Sequence, residues 1–360
     1  MKKISYIFLL LSVLVSACHR DKDDEPQPDN SVTQTTENYT PPSVTVVHPD
    51  PQTHLECIAP PFLVEGDTIV LLSPAYQTDI ENVNATAEIV KTWGLVPLIG
   101  YNSNNIYKNK YAGTPDERRA DLLWAYQNPN VKAIICNRGG YGVIQILDEI
   151  PLSVYNTYPK WMVGFSDITT LHAASVRAGV MSIHGTMSSF IASEPTSDNT
   201  LKLKELLFGT LPDYNISAHK NNKVGTAEGV LVGGNFATFT PLVGSGFDFT
   251  SADNVILFIE EVGESFHNID RMMNILALHG VIDNVKGIIL GAFSDCSADL
   301  GYSSVEELVT EYFAGRNIPI CCGFPAGHST NKLPFIEGAP VTLTVTENGA
   351  ELKYNFKPQL

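Results

Sequence analysis

The sequence predicts an α/β protein in which a doubly wound N-terminal domain is followed by a second, mixed-sheet α/β domain. Between residues 59 and 190, short apolar runs of the kind found in strands covered on both faces alternate with helical patterns. Near the C-terminus, apolar and polar residues alternate over 340–345, and Glu347-Asn-Gly349 supplies a turn before a second strand at 352–356. The first pattern is typical of a parallel sheet, and the second is typical of an antiparallel hairpin.

The N-terminal domain, residues 59–190, is predicted from five strands and two helices between them. The strands are expected at 66–75, 95–99, 131–136, 161–163 and 180–184. A helix over 80–93 is stopped by Gly94, and a helix over 115–126 has proline and acidic residues in its first turn. Ligands of such sheets bind at the carboxyl ends of the strands.

The second half begins with a polar stretch, residues 191–222, which is interpreted as a connection containing one helix at 201–208. The C-terminal domain, residues 223–360, is predicted to contain strands at 228–234, 254–261 and 285–291, a helix at 269–278 and the terminal hairpin.

The first residues predict export and lipidation. Two lysines and a short apolar run form a signal peptide over 1–17, and Val15-Ser-Ala-Cys18 resembles a bacterial lipobox. That resemblance implies cleavage before Cys18 and lipid attachment to its sulfur. Residues 18–58 are acidic and poor in apolar side chains, which predicts a disordered tether. We therefore expect a lipid-anchored protein of the cell envelope, on the periplasmic or surface leaflet of an outer membrane.

Composition excludes several classes of function. A formal net charge of −16, with no basic cluster after the first residues, argues against a nucleic-acid partner. Five cysteines remain after Cys18, an odd number that does not suggest a disulfide framework, and adjacent Cys321-Cys322 lacks zinc-site spacing. Neither a metal nor a cofactor is predicted.

A tight turn at Gly164-Phe-Ser-Asp167 joins a buried strand to a helical pattern. A serine at the crest of such a turn has an exposed hydroxyl, as in the nucleophile elbow of serine hydrolases, although the Gly-x-Ser-x-Gly form is absent. The alternative is that Ser166 or Asp167 caps the helix. A glycine-rich loop, Asn137-Arg-Gly-Gly-Tyr-Gly142, follows the preceding strand and could cradle a phosphate, but it lacks the lysine of a P-loop.

Seven motifs occur in the order found in the serine LD-carboxypeptidase family, which this sequence resembles from about residue 60 onward. They are Gly66-Asp…Ser-Pro-Ala75, Arg138-Gly-Gly-Tyr-Gly142, Gly164-Phe-Ser-Asp167, His184-Gly185, Gly233-Gly-Asn235, Phe258-Ile-Glu-Glu261 with Ile269-Asp-Arg-Met272, and Gly327-His328…Leu333-Pro334. The family contains muramoyltetrapeptide carboxypeptidases and microcin-immunity hydrolases, and it commonly has Glu-Asp where this chain has Glu260-Glu261.

The resemblance implies a catalytic triad across a cleft between the two domains, with Ser166 as nucleophile, His328 as base and Glu260 as the orienting acid. It also implies an oxyanion hole, which we place at the N–H of Gly139 or Gly140 beside that of Asp167. Because the triad is split between the predicted domains, docking of the second over the first is expected to assemble it, and the resting geometry is expected to be loose.

The competing bases are His184, at the end of a strand of the same sheet as Ser166, and His279. Both could equally be structural.

The implied activity is removal of D-alanine from peptidoglycan tetrapeptides, with a muropeptide as substrate. Homodimers occur in the family, so the resemblance also implies a homodimer. Two alternatives stay open. One is an immunity-type amidase that cleaves an aminoacyl-nucleotide toxin, and the other is a catalytically silent, muropeptide-binding lipoprotein.

Overall fold

The structure, a computed structural model, describes residues 52–358. The strands are β1 (Thr68–Leu72), β2 (Val96–Ile99), β3 (Val131–Cys136), β4 (Trp161–Gly164), β5 (Ser182–His184), β6 (Tyr214–Ser217), β7 (Gly225–Asn235), β8 (Val255–Val262), β9 (Gly287–Ser294), β10 (Ile320–Cys322), β11 (Phe335–Glu337), β12 (Ala339–Thr346) and β13 (Gly349–Tyr354). The predicted signal peptide, Cys18 and the tether as far as residue 51 lie outside the described residues.

The helices are α1 (Ile80–Thr92), α2 (Pro115–Gln127), α3 (Ile144–Leu147), α4 (Leu152–Thr157), α5 (Thr169–Arg177), α6 (Ser188–Ser193), α7 (Asp198–Leu207), α8 (Phe236–Phe239), α9 (Phe266–Leu278), α10 (Val281–Asn284) and α11 (Val305–Tyr312). Two 3-10 turns, Ser166–Ile168 and Thr240–Leu242, complete the set. Within residues 52–358, no helix is both long enough and apolar enough to span a membrane.

The first sheet confirms the predicted doubly wound architecture. Its strand order is β11-β5-β4-β3-β1-β2, and every pairing from β2 to β5 is parallel. From β1 the chain first adds β2 on one side of the sheet and then β3, β4 and β5 on the other, so the strand order reverses between β1 and β3. Sheets of this kind bind ligands at the carboxyl ends of the strands beside such a switch point. There, Asn137 Nδ2 after β3 donates to Ser73 Oγ after β1 at 2.9 Å, so the two loops are joined.

The second sheet is mixed, as predicted, with the order β10-β9-β8-β7-β12-β13-β6. Its first four strands are parallel, and the last four form antiparallel pairs that include the terminal hairpin of β12 and β13. Within residues 52–358 there are two hydrophobic cores, and each contains residues of both sheets. Ile134 and Leu257 lie in one core, and Val163 and Phe258 lie in the other.

Three boundaries differ from the sequence-based ones. Strand β11 lies in the predicted C-terminal domain, yet it pairs antiparallel with β5 in the first sheet, where Phe335 is opposite His184. The predicted connection, 191–222, contains α7 and also β6, in which Tyr214 and Ile216 alternate into the core. That strand was missed because its period-two pattern spans only four residues.

The third difference is the end of the tether, predicted at residue 58. Leu55 is buried, and its backbone N–H and C=O both bond the side chain of Asn254, at 3.0 and 2.9 Å. The backbone of Ile58 bonds Gly179 and Met181, each at 2.9 Å. Residues 55–58 therefore belong to the folded body. They were assigned to the tether because the segment before them is polar overall, and this apolar stretch is short.

Candidate active site

Ser166 stands at the turn between β4 and α5, where its backbone is left-handed with φ +65°. Only four non-glycine residues within 52–358 have positive φ, a conformation that costs an ordinary residue about 1–3 kcal/mol and is often found at functional sites. Gly164 is required two residues earlier, because a Cβ there would lie 2.8 Å from the side chain of Ile168. The serine is therefore held in a strained, half-buried turn of the nucleophile-elbow kind.

The capping alternative is not observed. Neither the 3-10 turn at Ser166–Ile168 nor α5 has a side-chain N-cap hydrogen bond. The Ser166 hydroxyl instead lies 3.1 Å from His328 Nε2.

His328 connects the serine to a buried acid. Its Nδ1 lies 2.8 Å from Glu260 Oε2 and 3.1 Å from Oε1, and its backbone N–H donates to the same carboxylate at 2.9 Å. Glu260 is fully buried near the end of β8, whereas the His328 side chain is 22 % exposed. The structure thus brings together the three residues proposed from motif position, in the order serine, imidazole, carboxylate.

Two neighbours fix the orientation of this group. Gly327 has φ +102°, and a Cβ there would lie 2.6 Å from Glu260 Oε2, so the chain before His328 can pass the carboxylate only as glycine. The imidazole meets the ring of Phe165 edge to face, with centroids 5.0 Å apart. Both ring nitrogens are therefore aimed, one at an acceptor and the other at a hydroxyl, which is the geometry of general-base catalysis.

The glycine-rich loop lies directly against Ser166. A Cβ built on Gly139 would be 3.0 Å from Ser166 Cβ, and one on Gly140 would be 2.3 Å from the ring of Tyr76. The loop has space for backbone alone, as close approach to a reacting carbonyl requires. The oxyanion roles of the Gly139, Gly140 and Asp167 N–H groups stay predictions.

The side chain of Asp167 has a role that the sequence did not reveal. Its Oδ2 accepts the N–H of Val143 at 2.9 Å, and Arg118 donates to the carbonyl of Gly142 at 2.9 Å. Burial raises the pKa of the Asp167 carboxyl to about 6, although the Val143 N–H and the Arg118 charge oppose the rise. Asp167 therefore ties the far end of the glycine loop to the turn at Ser166.

We expect Gly139→Ala to lower kcat/KM by about 10-fold, because the added methyl would lie 3.0 Å from Ser166 Cβ and displaces it by a few tenths of an ångström. A misplacement of about 1 Å would cost about 100-fold. The φ of Gly139 is not in the left-handed region, so the substitution tests contact with the serine rather than backbone strain. Gly301→Ala is the matched control, since a Cβ there has no neighbour within 4 Å. Equal kinetics for the two variants, measured with the same substrate, would show that the loop does not abut the reacting groups.

Both rival histidines lie outside this constellation. His184 is buried and stacks on Phe335 with ring centroids 4.6 Å apart, and neither of its ring nitrogens has a hydrogen-bond partner within residues 52–358. Burial lowers its pKa well below the ordinary value for histidine. His279 is exposed, and its Nδ1 lies 2.9 Å from the carbonyl of Ile275.

Glu261, the second acid of the pair, holds structure together. Its carboxylate accepts from Asn235 Nδ2 at 2.9 Å and from the backbone N–H groups of Ala237 at 2.6 Å and Val262 at 2.8 Å. Two of these partners, Asn235 and Ala237, lie where β7 meets α8, whereas Glu260 bonds His328. No group of three or more His, Cys, Asp or Glu suited to a metal occurs in the described part of the chain, and the cysteines there, Cys57 to Cys322, are free thiols.

Comparison with known proteins places this geometry in a family. Residues 69–185 match the LD-carboxypeptidase N-terminal domain, and residues 228–343 match the LD-carboxypeptidase C-terminal domain. The chain is 31% identical to the probable murein peptide carboxypeptidase of Bacillus subtilis, over 82% of this chain and 94% of the relative. It is 28% identical to the microcin C7 self-immunity protein MccF of Escherichia coli, over 81% of this chain and 94% of the relative.

A solved structure is similar over the same region. The muramoyltetrapeptide carboxypeptidase of Oxalobacter formigenes superposes with a TM-score of 0.71 at 25% identity, covering 81% of this chain and 100% of the other. With matches to both halves and coverage of nearly the full length of these relatives, the chain belongs to the LD-carboxypeptidase family.

Proposed function

We propose that this protein is a serine-type LD-carboxypeptidase that removes the C-terminal D-alanine from peptidoglycan tetrapeptides. The observation that carries the proposal is the continuous hydrogen-bond chain from Ser166 through His328 to the fully buried Glu260. The names of the Bacillus and Oxalobacter relatives support the substrate class.

In the acylation step, Ser166 Oγ attacks the carbonyl carbon of the bond between the L-centre of diaminopimelate and D-alanine. A C–O bond forms as the hydroxyl proton passes to His328 Nε2. Glu260 accepts the Nδ1–H and stabilises the imidazolium while remaining ionised. Backbone N–H groups of the glycine loop and of Asp167 receive the negative charge on the carbonyl oxygen.

The tetrahedral intermediate then collapses. The C–N bond breaks, and the leaving nitrogen takes the proton from His328, so D-alanine departs as an amino acid. Water repeats the sequence on the acyl-enzyme, with His328 again as base, and Ser166 is regenerated as the tripeptide is released.

The direct test is incubation of purified full-length protein with muropeptides that carry tetrapeptide or pentapeptide stems, read by mass spectrometry. We expect tetrapeptides to become tripeptides and pentapeptides to remain intact. Tetrapeptide that binds but survives prolonged incubation would favour the silent, muropeptide-binding alternative instead.

An immunity-type amidase is the second candidate, because the MccF relative is as well covered as the carboxypeptidases. Its implied substrate, an aminoacyl nucleotide, is met in the cytoplasm, whereas the signal peptide predicts export. An aminoacyl sulfamoyl adenosine offered beside the tetrapeptide separates the two functions, and preferential cleavage of the nucleotide would overturn the first.

We also propose that the mature protein is anchored in the outer membrane through lipidated Cys18 and works on wall fragments there, as a homodimer. The support is the lipobox-like Val15-Ser-Ala-Cys18, the acidic residues that follow it and the family's occurrence as dimers.

Replacing Cys18 by serine is therefore expected to move the protein from the membrane fraction to the soluble fraction, since the thiol that carries the lipid is gone. Carboxypeptidase activity should be unchanged, because Ser166, Glu260 and His328 are untouched. Immunoblotting of the membrane and soluble fractions measures where the protein is. A Cys18→Ser protein that remained in the membrane with bound lipid would contradict the anchor.

A further inference from the structure

The segment after the base is held rigidly. The buried Asn199 of α7 donates from Nδ2 to the carbonyl of Thr330 at 2.9 Å, and its Oδ1 accepts the N–H of Lys332 at 2.8 Å. His328 is also tied down, because Ser294 Oγ donates to its carbonyl oxygen. The backbone of Lys332 is thus fixed relative to the imidazole four residues before it.

The side chain of Lys332 lies on an aromatic row that leads to the active site. Its Nζ is 4.5 Å from the ring centroid of Phe190, which is 5.8 Å from the ring of Phe165. Phe165 in turn contacts His328, with centroids 5.0 Å apart. An aromatic face orients an ammonium without neutralising its charge.

This ammonium lacks an ion-pair partner among the described residues, because none of the salt bridges within 52–358 involves Lys332. Burial lowers its pKa, and the charge of Glu194 opposes that shift. A half-buried cation attracts an incoming anion more strongly than a fully solvated one does.

The reaction determines which groups of a substrate lie near His328 and which lie near the glycine loop. His328 Nε2 must reach the leaving nitrogen to protonate it, whereas the glycine loop takes the carbonyl oxygen. In a peptide ending in D-alanine, only the α-carbon separates that nitrogen from the terminal carboxylate. The row of Phe165, Phe190 and Lys332 begins at His328, so a carboxylate that extends from the leaving nitrogen along this row approaches the ammonium.

We propose that Lys332 binds the terminal carboxylate of the departing D-alanine and so makes the site selective for chain ends. This inference rests on the proposed carboxypeptidase function. A peptide that continues past the cleaved bond offers a neutral amide at this position and leaves the ammonium unpaired. Selection by charge thus favours the last residue over any internal bond.

The test compares two tetrapeptides that differ only at the C-terminus, one with the free acid and one with a carboxamide. For the wild type we expect kcat/KM to be about 30-fold higher for the acid, which corresponds to about 2 kcal/mol. Lys332→Met retains the packing on Phe190 but removes the charge, so the acid should lose this advantage while the amide is cleaved at an unchanged rate. Lys332→Arg should restore the preference.

Lys353→Met is the matched control, since Lys353 is exposed, pairs with Glu351 on β13 and contributes the same unit of net charge. Loss of the acid preference in Lys353→Met would overturn the inference. So would loss of the preference in Arg138→Met while Lys332→Met keeps it. An equal fall in kcat/KM for both peptides in Lys332→Met would overturn it as well. A wild-type protein that cleaves neither peptide would instead sink the proposed function, and the inference with it. A wild type that cleaves both peptides equally well would sink the inference alone.

Discussion

Ser166→Ala is expected to reduce kcat by about 10⁶, the loss typical of a triad nucleophile. The free energy of unfolding should change by less than about 0.5 kcal/mol, because the hydroxyl is half-buried at a turn and contributes little packing. Alanine must adopt the same left-handed backbone, so the strain of φ +65° remains in the variant. Tetrapeptide turnover and thermal unfolding of the same preparation measure both quantities.

Retained activity in Ser166→Ala would contradict this assignment. Activity of Ser166→Ala within about tenfold of the wild type, a difference of about 1.4 kcal/mol in the barrier, would mean that another residue is the nucleophile. Mass spectrometry of the stopped reaction provides a second readout, because the acyl adduct on residue 166 should be present in the wild type and missing from the variant.

Glu260→Gln is expected to lower kcat by about 10⁴, although the side chain keeps its shape. The carboxylate receives two donors, the Nδ1 and the backbone N–H of His328. An amide offers only one acceptor, and its NH₂ group would favour the tautomer in which Nε2 carries the proton and cannot accept that of Ser166. His328→Ala should abolish acylation outright, measured as the rate at which the acyl-enzyme appears.

His184→Ala is the control for this pair. It removes a buried imidazole from the same region, and therefore lowers stability, but the ring has no contact with the serine hydroxyl among the described hydrogen bonds. Folded His184→Ala should still accumulate acyl-enzyme. If it did not, while Glu260→Gln remained active, the assignment of His328 as the base would be wrong.

The parallel strands were predictable because each is a compact apolar run that ends in glycine, proline or a polar turn, as in Val131–Cys136 before Asn137. What could not be predicted was which sheet a short strand joins. Phe335–Glu337 has only three residues, and its pairing with Ser182–His184 depends on contacts between segments far apart in the sequence, which no local pattern records.

The candidate site followed from motif positions, since a lone serine, glutamate or histidine carries little information. The expectation of a loose geometry awaiting closure was wrong. His328 Nε2 already lies 3.1 Å from Ser166 Oγ, and His328 Nδ1 lies 2.8 Å from Glu260 Oε2. These short distances are possible because the two sheets share their hydrophobic cores. The side-chain role of Asp167 and the placement of Lys332 depend on loops folding against one another, and such contacts have no periodic signal in the sequence.

The pairing of β11 with β5 also determines when the enzyme can first exist during its own synthesis. The turn at Ser166 leaves the ribosome early, but the sheet that supports it keeps an open edge at residue 184 until residue 335 has been made. The strand that closes this edge begins at Phe335, shortly after His328 in the chain. An unfinished or truncated chain therefore has an exposed strand edge, which favours aggregation, and no assembled hydrolytic centre. We therefore expect the Ser166–His328–Glu260 geometry to form only in chains synthesised at least as far as β11.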